Sequence, residues 1–392
     1  MKKNSLLLVS FCYITLVPNS ILCSGSGAFP VNAQSRPAPN IPNREETLKT
    51  LILANDYFMK KYADYTLPSY RGRFRPSNIW TRAVYYEGLM ALYSIYPHSD
   101  YYDYAYNWGE FHKWGFRGGN TNRNADNQCC AQVYIDLYRL CPEPEILKNV
   151  RANTAMVVNT PQNGDWTWID AIQMAMPIYA KMGNVTGERK YFDKMWEMYH
   201  HTRNIEGGNG LFNPADGLWW RDKDFVPPYK EPNGEDCYWS RGNGWVYGAL
   251  VRILDEIPAD EAHRADYVAD FVAMSKALIK CQREDGYWNV SLHDPSNFGG
   301  KETTGTSLFV YGMAWGINNG VLESKTYLPA LLKAWNVMCK ESLHPNGFLG
   351  YVQGTGKEPK DSQPVTYDKE PDFEDYALGC FLLAGTEVYK LK

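Results

Sequence analysis

A carboxyl group placed beside indole rings is where this chain's chemistry is most legible. Asp170 closes the run Asp165-Trp166-Thr167-Trp168-Ile169-Asp170 and is followed by Ala171-Ile172-Gln173-Met174-Ala175-Met176-Pro177, which carries no charge. Gly164, Asp165 and Thr167 read as a helix start, and the small and Met residues that follow suit a helix packed on all sides. Asp170 then sits at the rim of a core beside a ring, the position of a catalytic acid. The same placement also suits a first-turn carboxylate stabilised by the helix dipole, and the stretch alone leaves both readings open.

Other residues could share that site. The segment Trp239-Ser240-Arg241-Gly242-Asn243-Gly244-Trp245 supplies indoles and a cation, Asp216-Gly217-Leu218-Trp219-Trp220-Arg221 supplies more of both, and Asp285-Gly286-Tyr287-Trp288 has the same flavour. The chain as a whole is 15% aromatic, with 13 Trp and 29 Tyr among 392 residues, which favours a carbohydrate ligand because aromatic faces stack on sugar rings while Tyr and Trp also offer polar edges. Its formal net charge of -4 lacks the basic excess that a nucleic acid partner requires.

These residues must be held by helices. After residue 46 the 3.6-residue period marks twelve helical stretches that alternate in character. Charged, amphipathic stretches at 47–65, 101–114, 145–158, 188–204, 262–283 and 324–342 predict outer helices. Stretches rich in Gly, Ala, Met, Tyr and Leu at 80–96, 126–140, 168–182, 239–257, 303–318 and 374–390 predict buried ones. Six such pairs in succession specify an all-α fold, an (α/α)6 barrel of helical hairpins, because each pair can cover its apolar face only with its neighbours. With all inner helices running the same way, their amino ends gather at one mouth: Trp80, Asp126, Trp168 with Asp170, Trp239 with Arg241 and Trp245, Glu302 with Thr304 and Thr306, and Glu374 with Asp375. Acids, an arginine and indoles in one cleft suit an anionic sugar better than a neutral one.

Ahead of the barrel, assigned to 46–392, residues 1–27 read as a signal peptide: Lys2 and Lys3, an apolar run too short to span a bilayer, then small residues. Cys23 offers a lipoprotein-type anchor, although Leu22 is bulkier than usual before such a cysteine. Residues 28–45 read as an extended linker. The expected location is therefore outside the cytoplasm of a bacterium, periplasmic or membrane-anchored. The cysteines beyond the targeting segment, Cys129, Cys130, Cys141, Cys237, Cys281, Cys339 and Cys380, lack close paired spacing and predict buried thiols in place of disulfides or a zinc site.

Three motifs in order, Trp168-Ile169-Asp170 leading to Met174-Ala175-Met176-Pro177, Trp239-Ser240-Arg241-Gly242-Asn243-Gly244-Trp245, and Glu302-Thr303-Thr304-Gly305-Thr306 ahead of Tyr311-Gly312, resemble the unsaturated rhamnogalacturonyl hydrolases. Asp126 falls where that family, like the related unsaturated glucuronyl hydrolases, carries a second acid. The resemblance covers nearly all of the chain after about residue 45. It implies a substrate left by a polysaccharide lyase, whose terminal uronic acid has a C4=C5 double bond beside its ring oxygen. An acid protonates C4, water adds at C5, and the hemiketal opens and expels the rest of the chain. One residue serves as acid and then as base, so the carboxylate-spacing rule of ordinary glycosidases does not apply.

On that resemblance Asp170 is the proton donor, its pKa raised by Trp168 and by the second carboxylate, and Asp126 holds sugar hydroxyls and tunes it. Arg241 reads the substrate carboxylate, or else serves a buried structural ion pair. Trp168, Trp239, Trp245, Trp219 and Trp80 form stacking walls, with Thr304 and Thr306 as further substrate contacts. Gly242 and Gly244 permit close packing at the helix entry. No metal or nucleotide is implied. Relatives acting on rhamnogalacturonan commonly have a His in the Gly-Leu-Trp loop. This chain has Arg221 there, so galacturonyl and glucuronyl substrates both remain open. The competing classes are a non-catalytic glycan-binding lipoprotein, which would explain the Trp content and export, and an inverting glycosidase on the same toroid. An epimerase would place His at the inner mouth, and a repeat scaffold would spread its polar residues along a concave face.

Overall fold

The helices whose residues are buried on every side close into a ring. A computed structural model describes residues 41–70 and 74–392. The signal peptide, Cys23 and most of the linker lie outside the described residues. The chain runs α1 (Arg44–Lys61), a hairpin of β1 (Ser69–Tyr70) and β2 (Phe74–Arg75), α2 (Trp80–Ile95), α3 (Ser99–Phe111), α4 (Ala125–Gln128), α5 (Ala131–Leu140), α6 (Pro144–Val158), α7 (Asp170–Thr186) and α8 (Lys190–Asn204). A second hairpin, β3 (Phe212–Asn213) with β4 (Leu218–Trp219), precedes α9 (Ser240–Glu256), α10 (Arg264–Lys280), α11 (Thr303–Asn318), α12 (Ser324–Val337) and α13 (Asp375–Tyr389).

Contacts between α2, α4 with α5, α7, α9, α11 and α13, and from α13 back to α2, close the inner circle. Around it α1 packs on α13, α3 on α2, α6 on α5, α8 on α7, α10 on α9 and α12 on α11. This is the predicted (α/α)6 barrel. Burial separates the two layers. Every residue of α7 from Asp170 to Gly183 is buried, whereas α1 buries only Thr47, Leu51, Ala54, Asn55 and Phe58, a single stripe. Closure of the ring depends on backbone contact between α2 and α13. A Cβ on Gly88 would lie 2.5 Å from the carbonyl oxygen of Gly379, so neither position accepts a side chain.

Most element limits shift by a few residues from the sequence expectations, and three of the differences have a visible cause. Helix α1 starts at Arg44, before residue 47, because Asn43 Oδ1 accepts from Glu45 and Glu46 N–H at 2.8 and 3.3 Å and so caps it. The second inner stretch is two helices, with Gln132 N–H bonded to Cys129 O in a tight turn between α4 and α5. The end of the last outer stretch, Met338–Ser342, widens to a π turn in which Leu343 N–H reaches Met338 O. Cys129, Cys130, Cys237 and Cys380 are buried, and all seven described cysteines are free thiols.

Candidate active site

Amino ends of four inner elements meet at a cavity of about 200 Å³, room for one sugar ring. Trp80 at the start of α2, Asp126 on α4, Asp170 and Met174 on α7, and Trp239, Arg241 and Trp245 around the start of α9 line it, with Trp168, Arg221, Thr355 and Gly356 from loops. Met174 belongs to the wall because it stands one turn after Asp170 on the same helix face.

Asp170 is held by a connection that crosses the sequence. Trp168 forms an isolated antiparallel bridge with Asp222, and Ile169 N–H donates to Arg221 O at 3.0 Å. This pairing lays the Arg221 guanidinium over the Asp170 carboxylate, with Nε and Nη2 donating to Oδ2 at 3.2 and 2.9 Å. Nη1 of Arg221 donates to Asp222 Oδ2 at 2.6 Å. The other oxygen, Asp170 Oδ1, is buried and has no hydrogen-bond partner. Burial raises the Asp170 pKa, and Arg221 followed by Arg241 opposes the rise. Asp126 is pushed up to about 6 by burial and then by Asp170, against Arg221, Arg75 and Arg117. The two carboxyl groups thus line one cavity, and both are shifted toward holding their protons.

Arg241 is almost fully buried, and its donors serve main-chain carbonyls: Nη1 to Gln353 O at 2.7 Å and Nη2 to Gly354 O at 2.8 Å. Its guanidinium lies 4.6 Å from the Trp239 ring centroid, and its Nε has no partner. The ion-pair alternative for Arg241 is therefore replaced by carbonyl binding, and the residue fixes the loop that brings Thr355 and Gly356 over the cavity. Trp239 Nε1 donates to Gln353 Oε1 at 2.9 Å, tying the same loop to the aromatic wall. Trp80 meets Trp245 edge to face at 6.1 Å and tilts against Tyr376 at 5.2 Å. Gly242 fulfils its expected part: a Cβ there would lie 2.9 Å from the Trp239 ring and 3.6 Å from Asp170 Oδ1.

Three expected contacts are not at the cavity. Trp219 is fully buried against Tyr199 and Phe212, because Asn243 clamps its backbone, accepting from Trp219 N–H at 2.9 Å and donating to its carbonyl at 3.0 Å, which turns the ring outward. Thr304 stands behind Arg241, its hydroxyl donating to Glu302 Oε1 at 2.5 Å. The Thr306 hydroxyl accepts from Trp288 N–H at 3.1 Å. Glu302 caps α11, and Asp375 pairs with the buried Arg82 at 3.1 Å, so neither mouth carboxylate faces the cavity. Sequence reasoning missed Thr355 and Gly356, whose glycine-bracketed setting in Gly354-Thr355-Gly356 is the one local signal they carry. It also missed a second cavity of about 540 Å³ that adjoins the first through Trp80 and Asp126 and is lined by Arg75, Ile79, Arg117, Gly118, Asn124 and Asn127.

The model of glycosyl hydrolase family 88 matches residues 52–392. The chain belongs to that family. Family 88 proteins of known structure share its fold: one from Bacteroides vulgatus is 31% identical, with a TM-score of 0.81, over 89% of this chain and 100% of that one. A solved structure named as a polysaccharide lyase is 30% identical, with a TM-score of 0.80, over 88% and 97%. An unsaturated 3S-rhamnoglycuronyl hydrolase from Formosa agariphila is 36% identical over 232 residues, 58% of each protein. The chain thus spans under two thirds of that curated relative's length.

Proposed function

We propose that this family 88 glycoside hydrolase removes a 4,5-unsaturated uronic acid from the non-reducing end of lyase-generated oligosaccharides by hydrating its vinyl ether. The observation that carries the reading is Asp170 itself, with one oxygen on Arg221 and the other buried and unpartnered in an indole-walled cavity the size of one sugar. Asp170 gives its proton to C4, and the positive charge spreads over C5 and the ring oxygen. Water adds at C5 and returns a proton to the Asp170 carboxylate, and the hemiketal opens to expel the aglycone. Asp126 holds the sugar hydroxyls and, as a like charge, strengthens the neighbour's grip on its proton. Arg221 joins the acid to the substrate: an incoming uronate carboxylate competes with Asp170 for the guanidinium fork, and as that fork is drawn away Asp170 holds its proton more tightly. Trp80, Trp168, Trp239 and Trp245 grip the flattened ring.

The likeness to a polysaccharide lyase favours a second reading, in which the carboxylates create the double bond they would otherwise consume. A lyase base must be ionised at rest, whereas burial raises Asp170 and pushes Asp126 up to about 6, which speaks for the acid role. The ultraviolet absorbance of the conjugated uronate decides the matter. A hydrolase abolishes it when given a lyase-generated disaccharide; a lyase creates it when given the intact polysaccharide. Release of saturated uronic acid at a comparable rate would point instead to an inverting glycosidase. Binding of the unsaturated disaccharide without turnover would point to a glycan-binding protein.

The name of the Formosa agariphila relative supports a 3-sulfated rhamnose next to the unsaturated uronyl group as the leaving sugar here. We infer export as well, from the basic start and short apolar run of residues 1–27, with Cys23 as an anchor site. The intact mass of the mature chain recovered from bacterial membranes tests this. A diacylated chain beginning at Cys23 supports the anchor, and an unprocessed cytoplasmic chain overturns export.

A further inference from the structure

We propose that the carboxyl-end mouth of the barrel holds a second carbohydrate site, one that binds a neutral saccharide and does not turn it over. The inference goes beyond the hydrolase reading and does not depend on it. A cavity of about 520 Å³ opens there, against about 200 Å³ at the reactive end, so a disaccharide fits where the reactive cavity admits one ring. That volume is typical of small-molecule pockets. Residues from the carboxyl-terminal parts of α2, α5, α9 and α13 line it, together with Tyr311 from the middle of α11.

Two donors on its wall are buried and short of partners. The Arg252 side chain is only 9% exposed; its Nε donates to Gln132 Oε1 at 3.0 Å and lies 3.7 Å from Glu87, whereas Nη1 and Nη2 make no hydrogen bond among the described residues. Tyr311, 5% exposed, lines the same cavity, and its hydroxyl makes none either. Buried donors in this state cost stability, so an acceptor oxygen arriving beside them is favoured. The neighbouring cations are already engaged. Arg139 takes both oxygens of Glu256 at 2.7 Å, and Lys390 meets Glu387 at 2.6 Å.

The surrounding charges decide what that oxygen belongs to. The carboxylates of Glu87, Asp136, Asp255 and Glu387 line the cavity against the three cations Arg139, Arg252 and Lys390. An anion would meet this acid excess, and Glu87 already offsets the charge of Arg252. A cation would leave both donors unmet and place a like charge beside a guanidinium. A neutral polyhydroxy ligand satisfies both kinds of group. Its oxygens accept from Arg252 and Tyr311, and its hydroxyl protons go to Glu387 and to Asp255, which is exposed at the mouth, since a carboxylate oxygen accepts more than one hydrogen bond. Met90, Tyr93 and Leu383 give the cavity an apolar side for the C–H face of a sugar ring.

The test titrates the full chain with rhamnose, galactose, xylobiose and cellobiose, and with sodium sulfate as an anionic probe, by ligand-observed nuclear magnetic resonance. Ser94→Trp puts an indole into the mouth from an exposed position in the last turn of α2, and Tyr311→Phe removes one hydroxyl and nothing else. At least one of the neutral sugars is expected to bind the wild type, with an affinity at least tenfold weaker in each variant. Both variants are expected to keep the wild-type melting profile and the wild-type rate on an unsaturated uronyl disaccharide, because the reactive cavity lies at the other end. Absence of sugar binding to the wild type overturns the site. So does wild-type affinity in either variant, which would seat the sugar elsewhere, the reactive cavity included. Sulfate binding without sugar binding would make this an anion site and also overturns the proposal. Failure of the wild type to consume the disaccharide strikes the hydrolase reading alone, and the sugar titrations still decide this one.

Discussion

The two mouths of the barrel handle charge in opposite ways. At the amino ends of the inner helices, Asp170 Oδ1 has no partner and Asp126 is pushed up to about 6. At the carboxyl ends, the cavity of about 520 Å³ is lined by Glu87, Asp136, Arg139, Arg252, Asp255 and Glu387 among others, and there the carboxylates have partners, Asp255 accepting from Trp315 Nε1 at 2.5 Å and the others facing cations. Arg139 takes both oxygens of Glu256 at 2.7 Å, Lys181 pairs with Asp136, and Lys390 meets Glu387 at 2.6 Å. Burial alone would raise Glu256, but Arg139 and Lys181 hold it down at about 2. Composition does not distinguish these ends, since both mix acids with arginines. What differs is satisfaction: one end closes its charges against each other, and the other keeps a carboxyl group short of partners where a substrate can supply them. Glu87, midway along α2, forms the floor of the carboxyl-end cavity, accepting from Gln173 Nε2 at 2.9 Å and facing Arg252 at 3.7 Å.

The largest break in that contrast comes from Asp170→Asn. Volume and burial persist while the transferable proton disappears, so kcat should fall by about 10²–10⁴-fold. The melting temperature should hold or rise, because Asn removes a buried and incompletely paired carboxyl group. Retention of more than about a tenth of the rate, outside the usual range for general acid catalysis, would remove Asp170 from the acid role.

Two variants sharpen the same end through opposite pH shifts. The alkaline limb of kcat/KM marks loss of the required proton from the carboxyl pair. Asp126→Asn removes a like charge, so the Asp170 anion becomes easier to form and the limb should move to lower pH. Activity should fall by about 10- to 100-fold as sugar contacts are lost. Arg221→Gln removes the cation that stabilises the anion, so the limb should move to higher pH. Its KM should rise about tenfold, the equivalent of one lost charge-assisted contact. Shifts in the same direction for both variants would contradict the electrostatic arrangement. Rate measurements from pH 4 to pH 9 on a single disaccharide decide it.

Periodicity made the barrel legible, because helices buried all round and helices buried along one stripe differ in composition as well as place. The meeting of Asp126 and Asp170 at one cavity was legible too, since both open inner elements whose amino ends converge. Arg221 was harder to place. Its hold on Asp170 depends on the Trp168 bridge to Asp222, a pairing across about fifty residues that no local spacing encodes. Trp219 was misplaced for a related reason: which way its ring turns is set by Asn243, from another element. Thr304 and Thr306 stand at the correct helix end, yet their hydroxyls are spent on Glu302 and the Trp288 backbone. Arg75 and Arg117 lie outside every helix, and a periodic reading gives such residues no position at all.

The smallest expected effect belongs to the satisfied end, and it serves as the control. Glu256→Gln breaks the Arg139 fork and the Lys181 contact at 3.4 Å, far along α9 from the reactive cavity. Because the folded-state pKa lies near 2, below the ordinary 4.5, the pair contributes stability that is full above about pH 4.5 and is lost as pH falls toward 2. The variant should therefore melt lower at pH 7, by an amount equivalent to about 1–3 kcal/mol, the usual cost of leaving a charged partner unmatched. The difference from wild type should shrink on acidification as the native carboxylate takes up its proton. Turnover at temperatures well below melting should match wild type, since none of the groups involved reaches the substrate. A Glu256→Gln protein that is as stable as wild type at pH 7 would mean that the matched charges do not hold this end together. One that is stable but slow would mean that the two mouths are coupled through Glu87 and Arg252, and the contrast between a structural end and a chemical end would have to be given up.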